Sequence, residues 1–110
     1  MGIFGCCADN YIPNGIIIDV RSKSEYDSEH IKDCINIPHY EIGRKINEYV
    51  TDKNTPINLY CAAGGRASAA KSTLISMGYT QVANLGGYSN AVEKINAYNN
   101  YKNEWIIVLL

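Results

Sequence analysis

Short apolar runs alternate with helical patterns along most of the chain. The runs with the length and continuity of buried strands are GIIIDV (15–20), CINIP (34–38), PINLYC (56–61) and QVANL (81–85). The longer segments with helical character are HYEIGRKINEYV (39–50), RASAAKSTLISMGY (66–79) and SNAVEKINAYNNY (89–101). Strands that alternate with helices predict an α/β fold, in which a central, mostly parallel sheet is flanked by helices on both faces in three layers.

Local signals add detail to this pattern. Ser22 and Glu25 have the Ser-x-x-Glu spacing of a capping box, which predicts a short helix that starts near Ser22. Gly78 suits the C-terminal cap of the helix predicted over residues 66–79. The segment 39–50 is expected to place one apolar helical stripe against the core, formed by Ile42, Ile46, Tyr49 and Val50.

The length of 110 residues corresponds to one domain with a modest core. We expect a flexible N-terminus over residues 1–12, the folded domain over residues 13–104, and an apolar tail or edge strand over residues 105–110. The first residues, MGIFGCC, are too short and uncharged for an export signal, and no run approaches the roughly 18 to 20 apolar residues of a membrane span. A cytoplasmic protein is expected, or a periplasmic or lipid-anchored one if the N-terminus is a trimmed export signal.

Charge and cysteine usage exclude several classes of partner. A formal net charge of -1 provides no basic field for nucleic acid or anionic lipid. The cysteines Cys6, Cys7, Cys34 and Cys61 are too scattered for a zinc cluster, so no metal site is expected. Their even number permits disulfides, but reduced thiols are favoured in a chain with an apolar core. The expected partner is a small molecule or a protein, and the expected state is a monomer or weak dimer.

The segment LYCAAGGRAS (59–68) carries the candidate chemistry. Cys61 ends the third predicted strand, and the chain then turns through two alanines and two glycines into a helix near Arg66. Parallel sheets bind ligands at this edge, and the glycines allow backbone N–H groups to form an anion-binding nest at the helix N-terminus. This setting favours a thiolate nucleophile at position 61, whereas the alternative is a buried cysteine that closes a strand.

Several ordered motifs resemble the rhodanese-homology domain family. The segment CAAGGRAS (61–68) resembles the C-x-x-G-x-R active-site loop of that family. The segment IIIDVRSKSEYDSEHIKDCINIP (16–38) is similar to its first signature, and MGYTQVANLGGYSNAV (77–92) is similar to the strand and Gly-Gly turn that follow the active-site helix. The resemblance covers residues 15–92 and points to the small single-domain thiosulfate sulfurtransferases of the phage-shock type.

Some positions depart from the family pattern. Asp33 and Cys34 replace the usual glycine and small residue around the second strand, and no tryptophan follows the Gly-Gly turn, since Trp105 lies too far downstream. The serine that commonly follows the loop arginine is displaced to Ser68. These changes affect turns and the surroundings of the loop, and they leave the cysteine in place.

The resemblance implies sulfur transfer through a persulfide on Cys61. The thiolate attacks the sulfane sulfur of a donor such as thiosulfate, sulfite leaves, and a cyanide or thiol acceptor removes the sulfur. No metal or organic cofactor is implied. The C-x4-R spacing is one residue shorter than the C-x5-R loop of phosphatases and arsenate reductases, which also favours sulfur. The loop residues expected to bind the anionic substrate are Ala62, Ala63, Gly64, Gly65 and Arg66.

The supporting roles and the competing functions remain open at this point. Asp19 and Arg21 match the family's Asp-Val-Arg and are expected to support the loop through an ion pair, or to form an ordinary structural salt bridge. Ser68 either reaches the loop or lies on the helix surface. The competing functions are a non-catalytic binding module and a redox sensor in which Cys34 or the Cys6–Cys7 pair resolves Cys61. A Cys-His hydrolase involving His30 or His39 lacks an orienting residue.

Overall fold

A computed structural model describes the backbone of residues 8–109 and the side chains of residues 8–101. Its centre is one sheet with the strand order β2-β1-β3-β4. All neighbouring strands are parallel. The strands are β1 (Ile16–Asp19), β2 (Ile35–Asn36), β3 (Ile57–Cys61) and β4 (Val82–Gly87). Because parallel strands need crossover connections, a helix or helical segment follows each strand.

The helices are α1 (Lys23–Ser28), α2 (Ile42–Lys45), α3 (Gly65–Ser76) and α4 (Tyr88–Leu109). Two 3₁₀ turns, His39–Glu41 and Ile46–Glu48, flank α2, so the helix predicted over residues 39–50 is three short helical segments. None of the helices in the described part of the chain has both the length and the apolar character that a membrane crossing requires.

The predicted caps are present at both helices. At α1, the Glu25 N–H donates to Ser22 Oγ at 3.3 Å and the Ser22 N–H donates to Glu25 Oε1 at 3.1 Å, which completes the capping box. At the end of α3, Gly78 adopts a φ of 100°. The N–H groups of Gly78 and Tyr79 donate to the carbonyls of Ile75 and Leu74, as in a Schellman motif.

Alternate residues of β3 separate the two faces of the sheet. Ile57, Leu59 and Cys61 belong to the core cluster that α2 and α3 cover. Tyr60 points to the opposite face and packs in the cluster that α1 and α4 cover. All five residues of β3 are buried, as expected for a strand covered on both sides. The predicted three-layer α/β fold with a parallel sheet is therefore confirmed.

The helical stripe predicted over residues 39–50 needs one correction. Ile42, Ile46 and Val50 are buried, but Tyr49 is 51% exposed. The chain leaves α2 through the 3₁₀ turn at Ile46–Glu48, whose three-residue repeat departs from the 3.6-residue spacing that the prediction assumed. Tyr49 therefore points to solvent, while Val50 completes the core contact.

The chain differs from the expected segment boundaries at both ends. The Ile12 N–H donates to Asn58 Oδ1 at 2.8 Å, and the Asp9 N–H donates to the Asn84 carbonyl at 2.7 Å, so residues 8–12 are attached to the sheet. Residues 1–7, which include Cys6 and Cys7, lie outside the described residues. At the other end, α4 continues to Leu109, so residues 105–109 extend a helix and do not form an edge strand.

Candidate active site

Cys61 is the last residue of β3, a central strand between β1 and β4. The residue is 1% exposed, and its Sγ accepts the Gly64 N–H at 2.9 Å. Gly64 is the N-cap of α3 and has a φ of 101°, a left-handed conformation that glycine adopts without strain. The loop therefore turns back over the sulfur and directs at it a backbone donor that belongs to the N-cap of α3.

The second Gly-Gly pair allows the loop to pack closely against β4. A Cβ atom on Gly87 would lie 2.5 Å from the carbonyl oxygen of Ala62, which is far inside van der Waals contact. A Cβ atom on Gly64 would lie 3.5 Å from the Cα of Gly86. Gly87 is therefore required for the close approach of β4 to the Cys61 loop, whereas the Gly64 distance is an ordinary van der Waals contact.

Arg66 has a carboxylate partner that sequence analysis did not assign. Its Nη1 and Nη2 donate to Glu25 Oε1 and Oε2 at 2.7 and 3.0 Å, in a bidentate pair between α3 and α1. The Arg66 hydrogen bonds, together with the Ser22 N–H, lower the pKa of Glu25 to about 2. The guanidinium carries further N–H groups that this pair leaves available to other acceptors. The sequence identified Glu25 only as a capping residue of α1 and gave no signal of its contact with Arg66.

The predicted ion pair between Asp19 and Arg21 is present and buried. Arg21 Nη2 donates to Asp19 Oδ2 at 2.7 Å and to the Glu29 carbonyl at 2.5 Å. The hydrogen bonds to Asp19 raise the pKa of Arg21. The Tyr60 hydroxyl donates to Asp19 Oδ2 at 2.9 Å, which links the pair to the residue before Cys61. The Asp19–Arg21 pair thus supports the end of β3 through Tyr60, and these hydrogen bonds do not involve the loop residues 62–66.

Ser68 lies on the exposed surface of α3. Its backbone N–H donates to the Gly64 carbonyl at 2.9 Å, and the residue lines a surface cavity of about 580 Å³. Ala63, Gly64 and Gly65 border the same cavity, so it adjoins the outer side of the loop. Ser68 therefore lies on the helix surface beside the candidate site, which is one of the two positions expected from the sequence.

The remaining candidate residues have structural partners. Cys34 is buried on the face of the sheet opposite to Cys61, and its Sγ lies 3.5 Å from the Tyr60 hydroxyl. Burial raises the pKa of the Cys34 thiol, and direct pairing with Cys61 would need the strands to move. His30 stacks on Tyr26 with ring centroids 3.8 Å apart. Within residues 8–101, no group of three or more potential metal ligands is close enough to hold an ion.

Comparison with known proteins identifies the family. The model of the rhodanese-like domain matches residues 8–94. The chain is 46% identical over 70 residues to the thiosulfate sulfurtransferase PspE of Escherichia coli, covering 64% of this chain and 67% of that protein. It is 30% identical to the thiosulfate:glutathione sulfurtransferase of Saccharomyces cerevisiae, covering 71% of this chain and 64% of that protein. The chain thus spans about two thirds of the length of these relatives.

A solved structure supports the same assignment. The structure described as a rhodanese with anions from E. coli aligns with a TM-score of 0.67 and 42% sequence identity, over 69% of this chain and 89% of that one. It therefore shares both the fold and a substantial part of the sequence with the protein described above. The family resemblance of the ordered motifs is confirmed, and the chain belongs to the rhodanese-like domain family.

Proposed function

We propose that this protein is a thiosulfate-type sulfurtransferase that carries the transferred sulfur as a persulfide on Cys61. The observation that carries the proposal is the position of the Cys61 sulfur, which lies at the end of β3 and accepts the Gly64 N–H at 2.9 Å. A backbone donor at the N-terminus of α3 stabilises negative charge on a thiolate, and it does the same for a persulfide anion.

The enzyme type is the part of this function with direct support from relatives. The E. coli relative is named a thiosulfate sulfurtransferase, and the S. cerevisiae relative is named a thiosulfate:glutathione sulfurtransferase. The presence of a cysteine at the loop position argues against a non-catalytic binding module, because such a module has no need of a nucleophile. The donor, the acceptor and the persulfide are proposals for this chain.

The proposed reaction has two displacement steps. In the first, the Cys61 thiolate attacks the outer sulfur of thiosulfate, a bond forms between that sulfur and Sγ, and sulfite leaves with the electron pair of the broken S–S bond. In the second, cyanide or a thiolate attacks the outer sulfur of the persulfide and releases the Cys61 thiolate. The remaining N–H groups of Arg66 would pair with the anionic donor and the leaving sulfite.

The proposed partners and compartment follow from the same chemistry. The donor is a small anion, and the acceptor is cyanide, a small thiol or a protein thiol, with no role for nucleic acid. We propose the cytoplasm as the compartment, since a reducing environment keeps the Cys61 thiol in the free form that the first displacement step uses. We propose a monomer or weak dimer as the state of the protein. Cell fractionation and sedimentation would test the compartment and the oligomeric state.

Intact mass spectrometry after incubation with thiosulfate tests the proposal. We expect the wild-type protein and Cys34→Ala to gain one sulfur atom, and to lose it to cyanide with formation of thiocyanate. Cys61→Ser should fold and should do neither, because one thiolate carries all the covalent chemistry. The proposal is wrong if the wild-type protein gains no sulfur, as a binding module would behave, or if Cys61→Ser still produces thiocyanate.

A further inference from the structure

We infer that Asn84 is a positioning residue for the Cys61 loop, and that Asp9 of the N-terminal segment holds Asn84 in place. The inference rests on the proposed sulfur transfer by Cys61. Neither residue belongs to the motif that contains Cys61, and neither contacts the sulfur. Their effect on the reaction would act through Gly64.

The side chain of Asn84 connects the two Gly-Gly turns. Asn84 Nδ2 donates to the Gly64 carbonyl at 3.2 Å, and Asn84 Oδ1 accepts the Gly86 N–H at 2.9 Å. Both ends of the amide are therefore used, which fixes its orientation. Gly64 is also the residue whose N–H donates to Cys61 Sγ. Asn84 thus holds the carbonyl of Gly64, the same residue whose N–H donates to the sulfur.

Gly64 needs such a restraint because of its conformation. With a φ of 101° and no Cβ atom, its backbone has more rotational freedom than that of any other residue type. The Ser68 N–H also donates to the Gly64 carbonyl, but this contact runs along α3 and belongs to the first turn of the helix. The Asn84 amide approaches from β4, so it restrains the carbonyl from the side of the sheet.

Asp9 fixes the backbone of Asn84 at the exposed edge of the sheet. The Asp9 N–H donates to the Asn84 carbonyl at 2.7 Å, and Asp9 Oδ2 accepts the Asn84 N–H at 2.8 Å. Because β4 is an edge strand, these groups would otherwise lack a strand partner. Lys71 Nζ donates to Asp9 Oδ2 at 2.6 Å, and Lys94 Nζ donates to the Asp9 carbonyl at 2.5 Å. Two lysines from separate helices therefore hold Asp9.

The test compares Asn84→Ala and Asn84→Asp with the wild-type protein. Aspartate can still accept the Gly86 N–H, but it cannot donate to the Gly64 carbonyl. We expect both variants to lower kcat about tenfold, the effect of losing one hydrogen bond of about 1.4 kcal/mol, while KM for thiosulfate stays within about twofold. The hydrogen exchange of the Gly64 amide should become about tenfold faster, whereas the Leu59 amide in β3 should change only with global stability.

Asn58 provides a matched control in the same sheet. Its side chain also holds the N-terminal segment, through the Ile12 N–H and carbonyl at 2.8 Å each. Asn58 lies near the start of β3, whereas Cys61 is at the end. Lys71 and Lys94 still hold Asp9 when the Asn58 contacts are lost, so Asn58→Ala should reduce stability without changing kcat of the folded enzyme. Asp9→Ala tests the second part of the inference and should lower kcat about threefold, whereas Asp9→Asn retains an oxygen acceptor and should stay near wild type.

The outcomes separate this inference from the proposed function. If kcat of both Asn84 variants stays within about twofold of wild type, or if Gly64 exchange rises no more than Leu59 exchange, Asn84 has a structural role alone and the inference is wrong. If the Asn84 variants do not fold, Asp9→Ala decides, and an unchanged kcat and Gly64 exchange overturn the inference. If even the wild-type protein forms no persulfide, the proposed function fails, while the Gly64 exchange still reports whether Asn84 restrains the loop.

Discussion

Replacing Glu25 with glutamine should isolate the contribution of the ion pair to Arg66. A glutamine amide oxygen can still accept the Ser22 N–H, which the Glu25 carboxylate accepts at 3.1 Å, so the capping box survives. The bidentate contact to Arg66 at 2.7 and 3.0 Å loses its charge and one of its two acceptors, because the glutamine NH2 group cannot accept from Nη2. Glu25→Ala removes both the cap and the ion pair. The difference between the two variants therefore separates the two roles of one side chain.

The magnitude follows from the geometry and exposure of the pair. A fall in the pKa of Glu25 from its ordinary value of 4.5 to about 2 would correspond to roughly 3 kcal/mol if the pair were shielded from water. The side chains of Arg66 and Glu25 are 33% and 36% exposed, so solvent screens most of this energy. We expect Glu25→Gln to lower the free energy of unfolding by about 1 kcal/mol, and Glu25→Ala by about 2 kcal/mol because the cap is lost too.

The pH dependence of this difference has a defined sign. Glu25 has a lowered pKa in the folded protein, so its ion pair stabilises the fold fully above its ordinary pKa of 4.5. The stabilisation is lost as the pH falls from that value towards about 2. The stability of Glu25→Gln should therefore be lower than that of wild type near pH 7, and the two should converge in acid.

Urea unfolding of the wild-type protein and both variants, at about pH 7 and about pH 3, measures these differences. A double-mutant cycle with Arg66→Ala should give a coupling energy of about 1 kcal/mol at the higher pH. Steady-state kinetics should show a higher KM for thiosulfate in Glu25→Gln, because the pair orients the guanidinium. Equal stability of Glu25→Gln and wild type near pH 7, or a difference that persists unchanged in acid, would refute the reasoning.

Two further substitutions test contacts around the site. Gly87→Ala should lower the free energy of unfolding, measured by urea titration, by about 2 kcal/mol or more, because its Cβ would lie 2.5 Å from the Ala62 carbonyl oxygen. As a control, Gly65→Ala should change it by no more than about 0.5 kcal/mol, because nothing lies within 4 Å of a Cβ at that position. Tyr60→Phe should cost about 2 kcal/mol, since Asp19 loses a donor and the Ile31 N–H loses its acceptor; a loss below about 0.5 kcal/mol would show that water replaces the hydroxyl.

The sequence was sufficient for those features that depend on neighbouring residues. The short, continuous apolar runs predicted the strands, and the Ser-x-x-Glu spacing predicted the cap of α1. Gly78 marked the end of α3 for the same reason, because a left-handed residue is needed there. Tyr49 shows where this reasoning fails, since a short 3₁₀ turn changes the angular spacing of side chains without any clear signal in the residue types.

The polar contacts that organise the candidate site depend on residues far apart in the chain. Glu25 and Arg66 are separated by 41 positions, and Asp9 and Asn84 by 75. Periodicity carries no information on such pairs. The capping box already accounted for a glutamate at position 25, so the sequence provided no reason to expect that it also binds Arg66.

The two Gly-Gly pairs are an intermediate case between local and long-range information. One pair consists of Gly64, the N-cap of α3, and Gly65, its first residue, and the other ends β4 at Gly86 and Gly87. Since β3 and β4 are parallel neighbours, both pairs lie at the same edge of the sheet, and the topology alone places them together. Glycine in both strand-end turns then indicates that two backbones approach closely. The topology does not predict which side chain joins the two turns. Asn84 occupies the same position in the strand whether or not its amide donates to the Gly64 carbonyl.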